Sequence, residues 1–371
     1  LVELLQISEP VLRIVGVVAL LLTIVFVHEM GHYLVGRWCG IGAVAFSVGF
    51  GRELCGFTDR RGTRWKLSAI PLGGYVKFVG DMNAASMPVE NRTGDDLRSD
   101  SFAAANVWKR MATVFAGPLF NALLTILVLT IFIWMNGRFI ISPVITEVIA
   151  GSPAAHAGFK AGDKILTMQG NTVVSYDDIP RYVRVHEEEK IDFTVERAGR
   201  IVPLAVVPRV TVMDDGFGSN IRVGQIGIKH ASTEKTIRKV SYSFWQSLNY
   251  GLDESGYIIR QTGRFLGKAF QGQADRCQLS GPVKSAQIAW KFSDLGLGAL
   301  IQLMAFFSLS VGLFNLLPLP PLDGGHLAFY LVEVVIGRPV PLAVQEKVFM
   351  FGFILVLVFV VLATVNNFIP C

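Results

Sequence analysis

The stretch Leu20-Leu-Leu-Thr-Ile-Val-Phe-Val-His28-Glu29-Met30-Gly31-His32-Tyr-Leu-Val35 places three ionisable side chains inside an apolar run that begins at Val11. A helix of about 20 apolar residues crosses roughly 30 Å of hydrocarbon, and an ionisable group within it costs several kcal/mol unless a partner or a metal takes it up. Three such groups within five positions demand a shared partner. His28 and His32, four apart on a helix, point the same way about 6 Å apart along the axis. That spacing lets two imidazoles grip one Zn²⁺ while Glu29 sits beside the water the metal activates. Gly31 is expected to keep this face open.

The rest of the chain is consistent with a membrane setting. Of 371 residues, 51% are hydrophobic and 17% charged, with a mean hydropathy of +0.47, too apolar for an ordinary soluble protein. Four runs are candidates to span: Val11 to Val35, Met111 to Met135, Leu295 to Leu317 and Val348 to Val365. The first, with its polar residues, is expected to be a permanent helix rather than a discarded signal peptide. The net charge of +5 comes from scattered bases with no interleaved aromatics, which excludes nucleic acid as the main ligand. Cys39, Cys55, Cys277 and Cys371 are too far apart for a Cys-x-x-Cys pair.

Lys/Arg content sets the expected orientation. Between the first and second runs lie 11 bases, from Arg37 to Arg110, so that side is expected to be cytoplasmic. The connection of about 160 residues between the second and third runs is then exported, since long domains cross largely regardless of charge. Its first part, Pro143 to Arg209, has short apolar runs (Val144 to Ile149, Lys164 to Met168, Ile191 to Val195, Ile201 to Val207) separated by turn signals, and predicts a small β-rich domain. Val240 to Phe270 has apolar residues at helical spacing, predicting one or two amphipathic helices on the outer membrane surface. On the cytoplasmic side, Gly40 to Val79 predicts short strands, and the polar Asp81 to Asp100 a mobile loop.

Catalytic zinc takes three protein ligands and an open position, so a third ligand is expected on another span at the same depth. If the first helix runs inward, so does the third, which ends in Asn315-Leu-Leu-Pro-Leu-Pro-Pro-Leu-Asp323-Gly-Gly-His326. Broken backbone at membrane depth is tolerated where protein buries it or it lines a polar cavity. Asp323 is the obvious carboxylate, with an interfacial N-cap as its plainer role. His326 and Glu333 are rival ligands on the same stretch, and geometry does not exclude His326. Asn121 and Asn315, polar among apolar neighbours, suit hydrogen bonds to substrate backbone, bracing of the broken helix, or helix-to-helix packing.

These motifs in order resemble the site-2 protease family of intramembrane zinc metalloproteases, specifically the bacterial regulator-of-sigma-E type. The matching features are HExGH at His28 to His32, Gly117-Pro-Leu-Phe-Asn121 (GPxxN), Asn315 to Gly324 (NxxPxPxLDG), and Ser152-Pro-Ala-Ala-His-Ala-Gly-Phe-Lys-Ala-Gly-Asp-Lys-Ile-Leu166, which is similar to a PDZ signature. The resemblance implies Zn²⁺ held by His28, His32 and Asp323, with Glu29 as catalytic base. It also implies a membrane-dipping β element, Gly73-Gly74-Tyr75-Val-Lys77, that pairs with substrate, so Gly73, Gly74, Tyr75 and Asn315 are expected to bind it. Enterobacterial members carry two tandem PDZ domains where one is evident here, as in shorter members of other lineages.

The implied fold is a polytopic α-helical membrane protein of the bacterial inner membrane. It has four transmembrane helices, a periplasmic β-rich PDZ-like domain and a small cytoplasmic membrane-associated β element, with the active site near the cytoplasmic side. Expected boundaries are 1–38 for the first span with HExxH, 39–110 for the β-rich loop, 111–137 for the second span, 138–212 for the PDZ-like domain, 213–294 for amphipathic helices, 295–337 for the third span with LDG and 338–371 for the fourth. Implied partners are the lipid bilayer and pre-trimmed single-span membrane proteins such as anti-sigma factors, with remnant signal peptides as a further class. Two rivals are a non-catalytic PDZ-containing scaffold and a metal-dependent lipid-modifying enzyme. Six histidines, only two of them at chelating spacing, are too few for the multi-histidine cluster of the latter.

Overall fold

The computed structural model describes residues 2–80, 99–184, 186–214, 220–231, 236–272 and 281–366. The expected loop at Asp81 to Asp100 lies almost wholly outside them. In chain order the elements are α1 (Val2–Trp38), β1 (Ala43–Thr58), β2 (Arg64–Phe78), α2 (Val107–Asn136), β3 (Arg138–Ile141), β4 (Glu147–Val148), α3 (Pro153–His156), β5 (Lys164–Met168) and β6 (Asn171–Thr172). There follow α4 (Asp178–Val183), β7 (Ile191–Arg197), β8 (Arg200–Val206), β9 (Arg209–Asp214), β10 (Asn220–Gln225), β11 (Ile228–Lys229) and β12 (Ile237–Val240). The remainder is helical: α5 (Phe244–Phe270), α6 (Pro282–Asp294), α7 (Leu297–Asn315), α8 (Asp323–Ile336) and α9 (Leu342–Asn366). Two compact units result, one of Leu1–Ile131, Leu248–Gly263 and Gly281–Asn367, the other of Phe132–Ser247, Arg264–Ser280 and Phe368–Cys371.

In the first unit, four helices are long and apolar enough to cross a membrane: Val11–Trp38 of α1, then α2, α7 and α9. Hydrocarbon offers backbone groups no partner, so an apolar run of this length closes its own hydrogen bonds as helix. Large side chains such as Phe351 and Leu362 of α9 stand exposed, at 69% and 61%, as befits surface that lipid tails would cover. The expected third span at 295–337 is two helices. α7 stops at Asn315 and α8 begins at Asp323, because Pro318, Pro320 and Pro321 remove three backbone donors in between. Gly352 of α9 lets the carbonyl of Pro320 approach its backbone, packing this broken stretch inside the unit.

β1 and β2 are more than a hairpin. Residues 45–48 of β1 pair on one side with 74–77 and on the other with 64–67, while 55–58 pair with 64–67 from beyond. The result is a four-stranded sheet in which 74–78 forms an edge. Aromatic contacts fix the sheet to the end of α1: Phe46, fully buried, stacks on Trp65 at 4.5 Å, and Tyr33 meets Trp65 edge-on at 5.0 Å. The turn at 59–63 closes on Asp59, whose carboxylate accepts from the Trp65 indole and from the N–H groups of Arg61 and Thr63.

The second unit carries the β-rich domain. A four-stranded sheet of order β6-β5-β7-β8 is joined by the pairs β9–β10, β4–β11 and β3–β12. β7 alternates inward Ile191, Phe193 and Val195 with outward Asp192 and Thr194, the period-2 pattern of a half-buried strand. The β domain does not stop at 212 as expected. Val223 and Ile226 are core residues, β12 pairs with β3, and helix begins only at Phe244. The added strands are two to six residues long, too short for alternation to register in sequence. α5 is a single amphipathic helix started by a capping box between Ser243 and Gln246.

Two contacts organise this domain. The Asp163 side chain, 1% exposed, accepts two hydrogen bonds from Arg197 at 2.7 Å each and one from the Lys160 N–H at 2.9 Å. Burial alone would raise its pKa, but the guanidinium and the backbone donor overcome burial and hold it below the usual carboxylate range. At β11, the carbonyls of Gly227 and Lys229 accept from Ile149 and Thr146, so that of Ile228 faces away from β4. The Tyr176 hydroxyl donates to it at 3.1 Å. Burial, and then the nearby charge of Asp177, push the Tyr176 phenol up to about 12, so it stays a donor at neutral pH.

Candidate metal centre

One helical turn of α1 carries His28, Glu29 and His32, all buried. α8 brings Asp323 to them from nearly 300 residues away. The His28 and His32 Nε2 atoms lie 3.2 Å apart, and the Asp323 Oδ2 is 3.1 Å from the first and 3.6 Å from the second. Among the described residues these three form the group able to hold a metal ion. Despite its two close imidazole neighbours, the buried Asp323 Oδ2 makes no hydrogen bond of acceptable geometry. Two imidazole nitrogens and a carboxylate oxygen left without a hydrogen bond, all within 3.6 Å of one another, fit a cation between them. A tetrahedral centre with bonds of about 2.0–2.1 Å sets its ligand atoms about 3.3 Å apart, the size of this triangle.

The remaining ring nitrogens show how the lone pairs are directed. His32 Nδ1 donates to the Thr113 carbonyl at 2.9 Å, which frees Nε2 for the triangle. His28 Nδ1 lies 3.2 Å from the Asn121 amide, and Asn315 Nδ2 lies 3.3 Å from His28 Nε2. Glycines allow the close approaches. A methyl at Gly117 would overlap His32 Nε2 and come within 2.8 Å of His28 Cε1. Gly31 does not keep a face open as the sequence suggested: a Cβ there would lie 2.5 Å from the Ala116 carbonyl, so it is where α1 and α2 touch.

Glu29 points to the sheet edge. Its carboxylate accepts from the Val76 N–H, and a Cβ at Gly74 would sit 3.0 Å from Glu29 Cγ. The strand 74–78 therefore runs past the carboxylate, with Gly74 and Val76 against it. Gly73, at φ +90°, turns the chain into that strand, where a side chain would strike Phe50. The Tyr75 ring stacks on Phe50 at 6.1 Å and takes the Lys66 ammonium over its face, so it braces the sheet.

The rival ligands are not part of this group. His326 packs on Phe349 of α9 with ring centroids 4.8 Å apart. Glu333 pairs with Arg110 of α2 at 2.6 Å, and that guanidinium also covers the Tyr330 ring and donates to the Ala105 carbonyl. Sequence reasoning missed this clamp and Thr113, and named Gly117 only as part of the Gly117 to Asn121 motif, without its packing against the histidines. Thr113 acts through its carbonyl and leaves no signature, whereas Gly117-Pro118 inside an apolar helix is a detectable anomaly.

The sequence profile of peptidase family M50 matches residues 16–359. A Brucella suis protein provisionally named a zinc metalloprotease is 48% identical over 369 residues, covering 98% of this chain and 97% of its own. A Mesorhizobium japonicum protein of the same provisional name is 46% identical, covering 95% and 97%, and Metalloprotease MmpA of Caulobacter vibrioides is 35% identical, covering 96% and 95%. Among solved structures, the PDZ domain of an SdrC-like protein from Listeria monocytogenes covers 23% of this chain and 82% of its own at 20% identity, with a TM-score of 0.19.

Proposed function

This chain belongs to peptidase family M50 and is a zinc metalloprotease, and from that premise we propose that it cleaves peptide bonds inside the spanning segments of pre-trimmed single-span membrane proteins. The observation that carries the reading is the convergence of Asp323, at the start of α8, on His28 and His32, which with Glu29 lie on a helix apolar enough to cross a membrane. The three converging residues would hold zinc. Bound zinc supplies a Lewis acid for the scissile carbonyl and lowers the pKa of coordinated water toward about 7. Glu29 removes a proton from the attacking water as its oxygen bonds to the carbonyl carbon, then delivers that proton to the amide nitrogen as the C–N bond breaks.

A peptide bond within a spanning helix is shielded by its own hydrogen bonds, so the substrate must be drawn out straight. The strand at Gly74 to Phe78 is an edge of its sheet and runs beside Glu29, whose carboxylate takes the Val76 N–H, and an extended segment added along that edge lies across the metal centre. Asn315, whose amide sits at His28, reaches the same place. With eight Lys/Arg between Trp38 and Val107, this sheet faces the cytoplasm of an inner-membrane protein and the β domain faces the periplasm. There the β domain and α5 refuse substrates whose outer domains are untrimmed, a role suggested by their insertion between the metal-bearing helices in sequence and by the Tyr176 cap on the Ile228 edge. The substrates are of the anti-sigma-factor kind, with remnant signal peptides as a second class.

The test is cleavage by detergent-purified protein of a single-span substrate in trimmed and untrimmed forms. Cleavage of only the trimmed form, extending to the untrimmed form when residues 138–240 are removed, supports the reading. Equal rates on both forms by the intact chain would remove the filter, and zinc-free protein cleaving neither would favour the scaffold.

A further inference from the structure

Asn121 is fully buried on α2, and its amide is used on one side only. Nδ2 lies 3.2 Å from His28 Nδ1, while Oδ1 has no hydrogen-bond partner. The backbone at this position is held firmly: the Ser308 hydroxyl of α7 donates to the Asn121 carbonyl at 2.9 Å, and Gly312 admits the Asn121 Cβ against α7. A buried amide oxygen without a partner is costly, so its retention beside a candidate metal ligand calls for a reason.

The reason lies in the tautomers of His28. A neutral imidazole carries one N–H. With the proton on Nε2, His28 donates to the bare His32 Nε2 3.2 Å away, and its own bare Nδ1 accepts from Asn121 Nδ2. With a metal on Nε2, the proton must sit on Nδ1, and two donors would then confront each other. The two ends of an amide have nearly the same shape, and which is which follows from their hydrogen bonds. Rotation by half a turn brings Oδ1 to Nδ1–H, and because Oδ1 now has no partner, the rotation breaks no other bond. His32 has no such freedom, since a fixed backbone carbonyl at Thr113 commits its Nδ1 to donating.

We propose that Asn121 is a positioning residue of the metal centre, whose amide turns to accept from His28 Nδ1–H and so keeps the His28 Nε2 lone pair directed at the His32–Asp323 face. The proposal rests on the ligand set of the preceding section and adds an outer partner to it. Partners of this kind, when removed, lower metal affinity by roughly 10–100-fold.

The experiment is zinc affinity by chelator competition on the full chain in detergent, for wild type, Asn121→Leu, Asn121→Asp and Asp323→Asn, with metal-free thermal unfolding of each as a check on folding. The expected result is zinc binding roughly 10–100-fold weaker in Asn121→Leu, which keeps the volume but not the acceptor. Asn121→Asp, which is acceptor only, should bind zinc at least as tightly as wild type. A merely structural asparagine would lose affinity in both variants alike, and that outcome, or Asn121→Leu within twofold of wild type, overturns the proposal. Should Asn121→Leu fail to fold, a tenfold loss in Asn121→Asp is overturning by itself. Unchanged affinity in Asp323→Asn would instead strike at the ligand set, leaving the Asn121 result to report on His28 alone.

Discussion

Asp163 in the β domain and Asp323 beside α1 are both carboxylates withdrawn from water, and their surroundings differ in kind. Asp163 receives three N–H donors, two of them from a guanidinium, and nothing about it is left open. Asp323 faces two imidazole nitrogens without hydrogen-bond geometry, and its buried oxygen has no donor. A buried carboxylate that is fully bonded spends its interactions on the fold, whereas one left short of donors keeps its capacity for a ligand. The same contrast separates the two histidines: His32 is committed to Thr113, and His28 leans on an amide able to serve either tautomer.

The comparison breaks most visibly at Glu29. Glu29→Gln keeps the shape and the triangle of ligand atoms, so zinc content should be unchanged while cleavage falls by roughly 10²–10⁴-fold, measured as turnover of a trimmed substrate alongside metal analysis. Next is the exchange of roles between the aspartates. Asp323→Ala should lose zinc, with affinity falling by more than the roughly 10–100-fold typical of an outer partner, while Asp163→Asn should leave zinc stoichiometry as in wild type. If both lose zinc, the division between fold and ligand fails.

Arg197→Met carries the contrast into stability. It strands Asp163 without its guanidinium and should cost about 3 kcal/mol, the low end of the range for a broken buried pair because the Arg197 side chain is 28% exposed. Hydrogen exchange in β5 and β7 of the full chain would read it, with zinc content unchanged. The pH response follows the same pair. The folded carboxyl of Asp163 lies below its unfolded value of about 3.9. Its contribution is therefore complete above that value and is lost as pH falls through the folded pKa, so β-domain exchange protection should hold from neutrality to about pH 4 and weaken below it. Smallest of all, Tyr176→Phe removes one hydrogen bond and should cost about 0.5–1.5 kcal/mol in the same exchange measurement, with no change in zinc.

The readable parts of this molecule were those where lipid or metal chemistry narrows the choices. Apolar runs in α1, α2 and α9 have one good backbone solution in hydrocarbon, and histidines four apart on such a helix have few uses. Asp323 needed a step more, the parity of the spans, and the same reasoning could not separate it from His326 or Glu333. That separation depends on Phe349 and on Arg110, the latter 223 residues from its partner. Gly31 was misread because a helical wheel shows what a glycine leaves open but not what moves in, here the Ala116 carbonyl. The folding of 43–78 into four strands, and the strands past 212, arise from pairings of short segments, some of them far apart as in β12 with β3, which leave no period in the sequence.

Cleavage of a trimmed single-span substrate by detergent-purified wild type and Glu29→Gln, with zinc measured in both, tests the central claim most directly. The account predicts zinc in both proteins and product from the wild type alone. Product from Glu29→Gln at the wild-type rate, with zinc present in both, would contradict it.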